Sequence, residues 1–157
     1  MNTKDPTLPL RTDLSRIAPR SPRARLGGFA HLPRLIDKAR AASAGTSGVY
    51  VYGEESLLDQ EFFKFTGITA DDFLAAVAER EGDWAILEWV QANTRQPLQA
   101  FQIQAWSQWL ETLPGLSPGA RAWFAEFPQS LDPVRPDVST LFEYLDLDDY
   151  LRFGGKA

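Results

Sequence analysis

Between Arg25 and Arg40 the chain carries five charged side chains, Arg25, Arg34, Asp37, Lys38 and Arg40, and its single histidine, His31. On a helix, Arg34 and Asp37 stand three residues apart, as do Asp37 and Arg40, and Arg34 and Lys38 stand four apart. Residues at these spacings share one surface. Such a surface can pair internally or hold an anion with charge-assisted hydrogen bonds. A helix beginning near Pro33 would add free N-terminal amides close to Arg34. The anion-binding candidates are therefore Arg25, Arg34, Lys38 and Arg40, with Arg23 close enough in sequence to join them. The acid–base candidates are His31, alone or with Asp37 or Asp59, and the two carboxylates themselves.

Other chemistries find less support. The chain has no cysteine, which removes disulfides, thiolate nucleophiles and thiolate metal sites. One histidine leaves only carboxylates to complete a zinc shell, so no metal and no cofactor is expected. Gly27-Gly28 lacks the Gly-Lys-Ser/Thr of a phosphate loop and the dinucleotide fingerprint; close packing at a bend accounts for it. The acidic run Asp146 to Asp149 lacks the glycine and distal glutamate of a calcium loop. It reads as a solvated face, or as the internal partner of the basic front. Asp59 sits three residues after Ser56, where a carboxylate suits a helix N-terminus; meeting Arg34 or Arg40 across the fold is its other reading.

The elements that must position these groups are helical. Ser21-Pro22 opens a short turn of helix, Gly27-Gly28 bends the chain, and a second helix starts near Pro33. Its apolar stripe is Leu32, Leu35, Ile36 and Ala39, with Arg34, Asp37, Lys38 and Ala41 pointing away and Gly45 as the stop. Residues 49–52 alternate Val and Tyr and predict a short extended segment. Ser56 caps a helix to Thr66, and Thr69 caps one over about 70–80. Asp83 caps the next, with Trp84, Leu87 and Val90 inward. A helix over about 97–112 turns Phe101, Ala105, Trp106, Trp109 and Leu110 inward and is broken by Pro114-Gly115. Ser117-Pro118 starts another, ending by Phe127-Pro128, and Asp137 caps the last. The sum is an all-α fold of about six helices around an aromatic-rich core shared by the five tryptophans. Residues 1–20 form an extended arm pinned by Leu8, Leu10, Leu14 and Ile17, residues 21–153 a single helical domain, and residues 154–157 a tail.

The 157 residues suit one domain, and 44% hydrophobic residues suffice for a core. Nine basic residues against three Asp give residues 1–45 a charge of +6, while seven basic and eighteen acidic residues give the remainder −11. Such halves can attract each other within the fold or leave an anion-binding face. No apolar run reaches the ~20 residues of a membrane span, and the N-terminus has no signal-peptide core; a cytoplasmic protein is expected.

The words PRSPRARLGG, LPRLIDKARA, LDQEFFKFTGI and DWAILEWV, in this order and spacing, resemble a bacterial family of small domains of unknown function over about residues 11 to 150. The first segment is the most specific. The resemblance implies no activity, cofactor or catalytic residue.

The function expected from the residues is a non-enzymatic module binding an anionic small molecule or a protein partner through the Arg25/Arg34/Lys38/Arg40 patch. The alternative is a small enzyme acting on an anionic substrate between that patch and Asp59. Nucleic acid ranks last, because the protein as a whole is acidic and the basic arm lacks interleaved aromatics. Oligomeric state is left open.

Overall fold

Gly27 and Gly28 adopt φ of 58° and 85°, and two consecutive left-handed residues make the tightest hairpin turn. The chain here forms an antiparallel ribbon, β1 (Arg25–Leu26) and β2 (Phe29–Ala30), with Arg25 opposite Ala30 and Leu26 opposite Phe29. This corrects the expected helical turn and bend. Ser21-Pro22 likewise opens a turn, closed by Ala24 N–H donating to Ser21 O. The structure is a computed structural model describing residues 12–113 and 118–157. The expected arm over residues 1–11, with Leu8 and Leu10, and the expected break at Pro114-Gly115 and start at Ser117 lie outside that range.

Buried Ser107 locks the ribbon. Its hydroxyl donates to Gly28 O and accepts from Ala30 N–H, each at 2.9 Å. A Cβ on Gly27 would stand 2.8 Å from Leu87 Cδ2 and closer still to Cδ1. Gly27→Ala therefore combines a steric conflict with an unfavourable φ. It is expected to cost about 2 kcal/mol, read from the urea midpoint, whereas Gly45→Ala meets only the φ penalty because nothing lies near its Cβ.

Seven α-helices follow among the described residues, one more than expected: α1 (Leu32–Ala44), α2 (Leu57–Thr66), α3 (Ala70–Ala78), α4 (Asp83–Asn93), α5 (Ala100–Glu111), α6 (Pro118–Ser130) and α7 (Leu141–Arg152). Ser56 and Thr69 cap α2 and α3 by accepting from Asp59 N–H and Asp72 N–H. Other starts differ from expectation. Gly82, not Asp83, precedes α4, and Gln99 with Gln102 forms a capping box at α5. The last helix is capped by Thr140 with Glu143 in the same reciprocal arrangement, while Asp137 pairs with Arg135. Helix α6 runs through Pro128 to Ser130. Residues 49–52 form no strand; Tyr52 is extended and leads into a 3₁₀ turn, Gly53–Glu55. None of these helices is long and apolar enough to cross a membrane.

The core is phenylalanine-led. Phe29, Phe62 and Phe73 are buried; Phe29 meets Phe62 edge-on at 5.7 Å, and Phe65 stacks on Trp106 at 4.8 Å. Three of the five tryptophans lie outside this core. Trp106 is buried and Trp89 packs at its margin, but Trp84, Trp109 and Trp123 are exposed. Helix α5 buries Ile103, Trp106, Ser107 and Leu110, with Phe101 and Ala105 outward. Leu14 is buried, and its N–H donates to Thr46 O.

Helix α1 is the centre of the molecule. Leu32, Leu35, Ile36 and Ala39 are buried as the apolar stripe requires, but so are Arg34, Asp37, Lys38 and Ala41. The expected solvent-facing back does not exist. Buried charged residues must each find a partner, and those of α1 find them far away in the chain.

Candidate functional site

Asp37 is taken first by the segment preceding the ribbon. Arg20 donates to it from its backbone N–H at 2.8 Å and from Nε and Nη2 at 3.0 Å. The same guanidinium binds Asp83, which Arg40 also approaches at 3.5 Å. Arg20 donation holds the Asp83 carboxyl below its ordinary range, against the opposing effect of partial burial. Asp37 and Arg40 thus belong to an ion-pair network with Arg20 and Asp83.

Arg34 is taken by α7. Its Nη1 donates to Asp149 Oδ2 at 2.7 Å and to Arg20 O at 3.1 Å, and its Nη2 to Asp149 Oδ1 at 3.3 Å. Tyr50 O–H donates to the same carboxylate at 2.7 Å, and Arg34 lies 5.5 Å from the centre of the Tyr50 ring. The acidic run is therefore an internal partner of the basic front, not a solvated face: Asp146 likewise receives Arg23 Nε at 3.2 Å and the Ser21 hydroxyl at 2.7 Å. Arg25, on β1, pairs with Glu111 at 2.9 Å.

The third partnership contains His31, Lys38 and Asp59. Asp59, at 0% exposure, accepts His31 Nε2 at 2.7 Å and Lys38 Nζ at 2.6 Å on Oδ1, and Gly53 N–H at 2.9 Å on Oδ2. Lys38 Nζ also donates to Ser56 Oγ at 3.0 Å. The Asp59 carboxylate is thus not accounted for by helix capping, and it meets Lys38 rather than Arg34 or Arg40. Burial pushes its pKa up, but the Lys38 charge and the His31 hydrogen bond prevail and hold it below the ordinary value. Burial lowers the Lys38 pKa despite Asp59.

Burial also pushes His31 down to about 4, against the pull of Asp59. At neutral pH the imidazole is uncharged. With a charged carboxylate at Nε2, the proton resides there and Nδ1 carries the lone pair. That Nδ1 is buried and has no hydrogen-bond partner among the described residues. The backbone at His31 is left-handed, φ 70° and ψ −22°, the one non-glycine residue so placed among those described, and its side chain makes no cap bond to α1. Strained backbone of this kind persists only where its surroundings enforce it.

His31, Arg34 and Lys38 open onto one cleft of about 430 Å3 between α1, residues 49–58 and α7. Tyr50, Ser56, Arg152 and the carboxylates Glu55 and Asp148 are among its other polar groups, and Val51, Leu57, Leu58, Tyr144 and Leu145 form its apolar wall. Arg152 pairs with Asp148 one turn away at 3.2 Å. Of the residues singled out from the sequence, the structure brings together His31, Arg34, Lys38 and Asp59; it leaves Arg25, Asp37 and Arg40 elsewhere. It adds Tyr50, Ser56, Asp149 and Arg152. The Ser56 cap was legible, but its second role as a Lys38 acceptor carries no local signal. Among the described residues no group of three His, Asp or Glu side chains is placed to hold a metal.

Chemically, the cleft offers a neutral imidazole oriented by a carboxylate, an ammonium on the same carboxylate oxygen, two guanidinium groups, and the carboxylates of Glu55 and of Asp148, the latter paired with Arg152. A family described as a domain of unknown function (DUF5069) matches residues 16–151. No curated protein matches the chain.

Proposed function

We propose that this chain, which belongs to the DUF5069 family of domains of unknown function, is a binding module that holds a small anionic molecule in the cleft between α1 and α7. The observation carrying this is the convergence of Arg34, Lys38 and Arg152 on one cleft with a largely apolar wall. Small-molecule sites characteristically combine an apolar lining with a few fixed polar groups. Arg34 and Lys38 are fixed by Asp149 and Asp59, so a ligand meets cations already in place. The exposed Arg152–Asp148 pair contributes little to stability, which lets Arg152 exchange Asp148 for a ligand. Arg25 and Arg40 stay with Glu111 and Asp83.

Short-chain carboxylates and phosphomonoesters are the probes to use. At 100 times its dissociation constant, a bound probe adds about 2.7 kcal/mol, or roughly 5–10 °C in Tm. Val51→Trp, placed on an exposed wall residue, fills the cleft and is expected to abolish the shift. Silence from every probe, or a shift unchanged by Val51→Trp, would remove the cleft as the site.

The His31–Asp59 pair supports a second reading, an enzyme acting on such an anion. A carboxylate-oriented neutral imidazole has the form of a general base. Chemical change in a bound probe, followed by NMR over hours, separates turnover from binding.

A further inference from the structure

We infer that the anion this cleft selects is a short hydroxy-carboxylic acid, its hydroxyl donating to His31 Nδ1 and its carboxylate seated beside Lys38. The inference rests on the cleft reading above and specifies its ligand. Four observations converge on His31. It is one of the residues that line the cleft. Its Nε2 is committed to Asp59. Its Nδ1 is buried with no partner among the described residues. Its backbone is held left-handed at the entry to α1. A purely structural imidazole needs only the Asp59 bond; that role leaves Nδ1 and the left-handed entry unexplained. A buried acceptor without a donor is a standing penalty that a ligand hydroxyl relieves.

The neighbours decide what kind of donor fits. His31 Nε2 and Lys38 Nζ lie 2.7 and 2.6 Å from the same Asp59 oxygen, so the ring and the cation are neighbours, with the acceptor Nδ1 across the ring from Asp59. Asp59 and Ser56 occupy two of the three Lys38 N–H donors, and the third is available to an anion. An ammonium donor would stand beside Lys38 and Arg34, which disfavours an amino acid. A neutral hydroxyl carries no such conflict. Val51, Leu57 and Leu145 on the wall suit a short alkyl chain.

The test uses matched probes on the full chain: lactate against propionate and alanine, and 3-hydroxybutyrate against butyrate, titrated by calorimetry. The hydroxy acid is expected to bind about tenfold tighter than its deoxy partner, the value of one neutral hydrogen bond. His31→Phe is expected to erase that preference while deoxy binding survives. The imidazole ¹⁵N spectrum of the unsubstituted protein gives an independent readout: Nδ1 moves upfield on binding 3-hydroxybutyrate and stays put with butyrate. Equal affinities within each pair, or an unmoved Nδ1 resonance, overturn the hydroxy-acid assignment and leave the cleft standing. Failure of all five probes to bind overturns both.

Discussion

Asp59→Ala is expected to lose about 3–5 kcal/mol of stability, the usual consequence of removing one member of a buried ion pair. The substitution leaves Lys38, at 5% exposure, with Ser56 as its remaining partner among those described here. It also deprives Gly53 N–H and His31 Nε2 of their acceptor. In a domain of this size the loss lowers Tm by roughly 6–20 °C. Asp59→Leu combined with Lys38→Met removes the stranded charge as well, and a partner-free apolar replacement of a buried pair is often nearly neutral. The double variant is therefore expected to recover much of the loss, and the non-additivity in urea unfolding measures the coupling. A cost below about 1 kcal/mol for Asp59→Ala would mean that Lys38 escapes to water, contrary to its burial.

The second large effect is on acid stability. The folded His31 titrates at about 4, below its ordinary 6.5, because burial disfavours the imidazolium. Between these values the unfolded chain binds a proton that the folded chain refuses. Stability therefore falls as pH drops from 6.5 towards 4, by up to about 3 kcal/mol. The chain has one histidine, so the upper part of this window, above the carboxylate range, reports on a single side chain. Asp59 acts lower: its depressed folded pKa contributes stability present above the unfolded value near 3.9 and lost as pH falls through the folded one. Urea midpoints at pH 7 and pH 5.5 are expected to differ in the unsubstituted protein and much less in His31→Phe. Equal midpoints at both pH values would show that the imidazole is not held neutral.

What was readable in advance was whatever local chemistry determines. Ser56 and Thr69 announce their helices because a hydroxyl accepts from an amide three residues on. The α1 stripe announces itself by period. The Asp137 assignment failed where a better signal lay nearby, since Thr140 with Glu143 spells a capping box. The ribbon was missed because two-residue strands carry no alternation. In α5, Phe101, Ala105 and Trp109 compete with Ile103, Trp106 and Leu110, and size alone favours the wrong stripe. The buried charges of α1 were unreadable for a different reason. Their enclosure depends on Arg20, Asp59 and Asp149, and no periodicity within α1 encodes partners at those distances. For the same reason the cleft residues Tyr50 and Arg152 were invisible as site residues, although His31, Arg34, Lys38 and Asp59 stood among the candidates.

The Arg34–Asp149 contact spans 115 positions, and this bears on how the chain is made. Synthesis runs from the N-terminus at about 5–20 residues per second. Arg34 therefore leaves the ribosome at least several seconds before Asp149 is polymerised. During that interval α1 has its apolar neighbours from α2 and α3, but its guanidinium has no carboxylate from α7. A nascent chain arrested before Asp149 emerges thus carries a central helix that cannot close, and enclosure of Arg34 waits for α7.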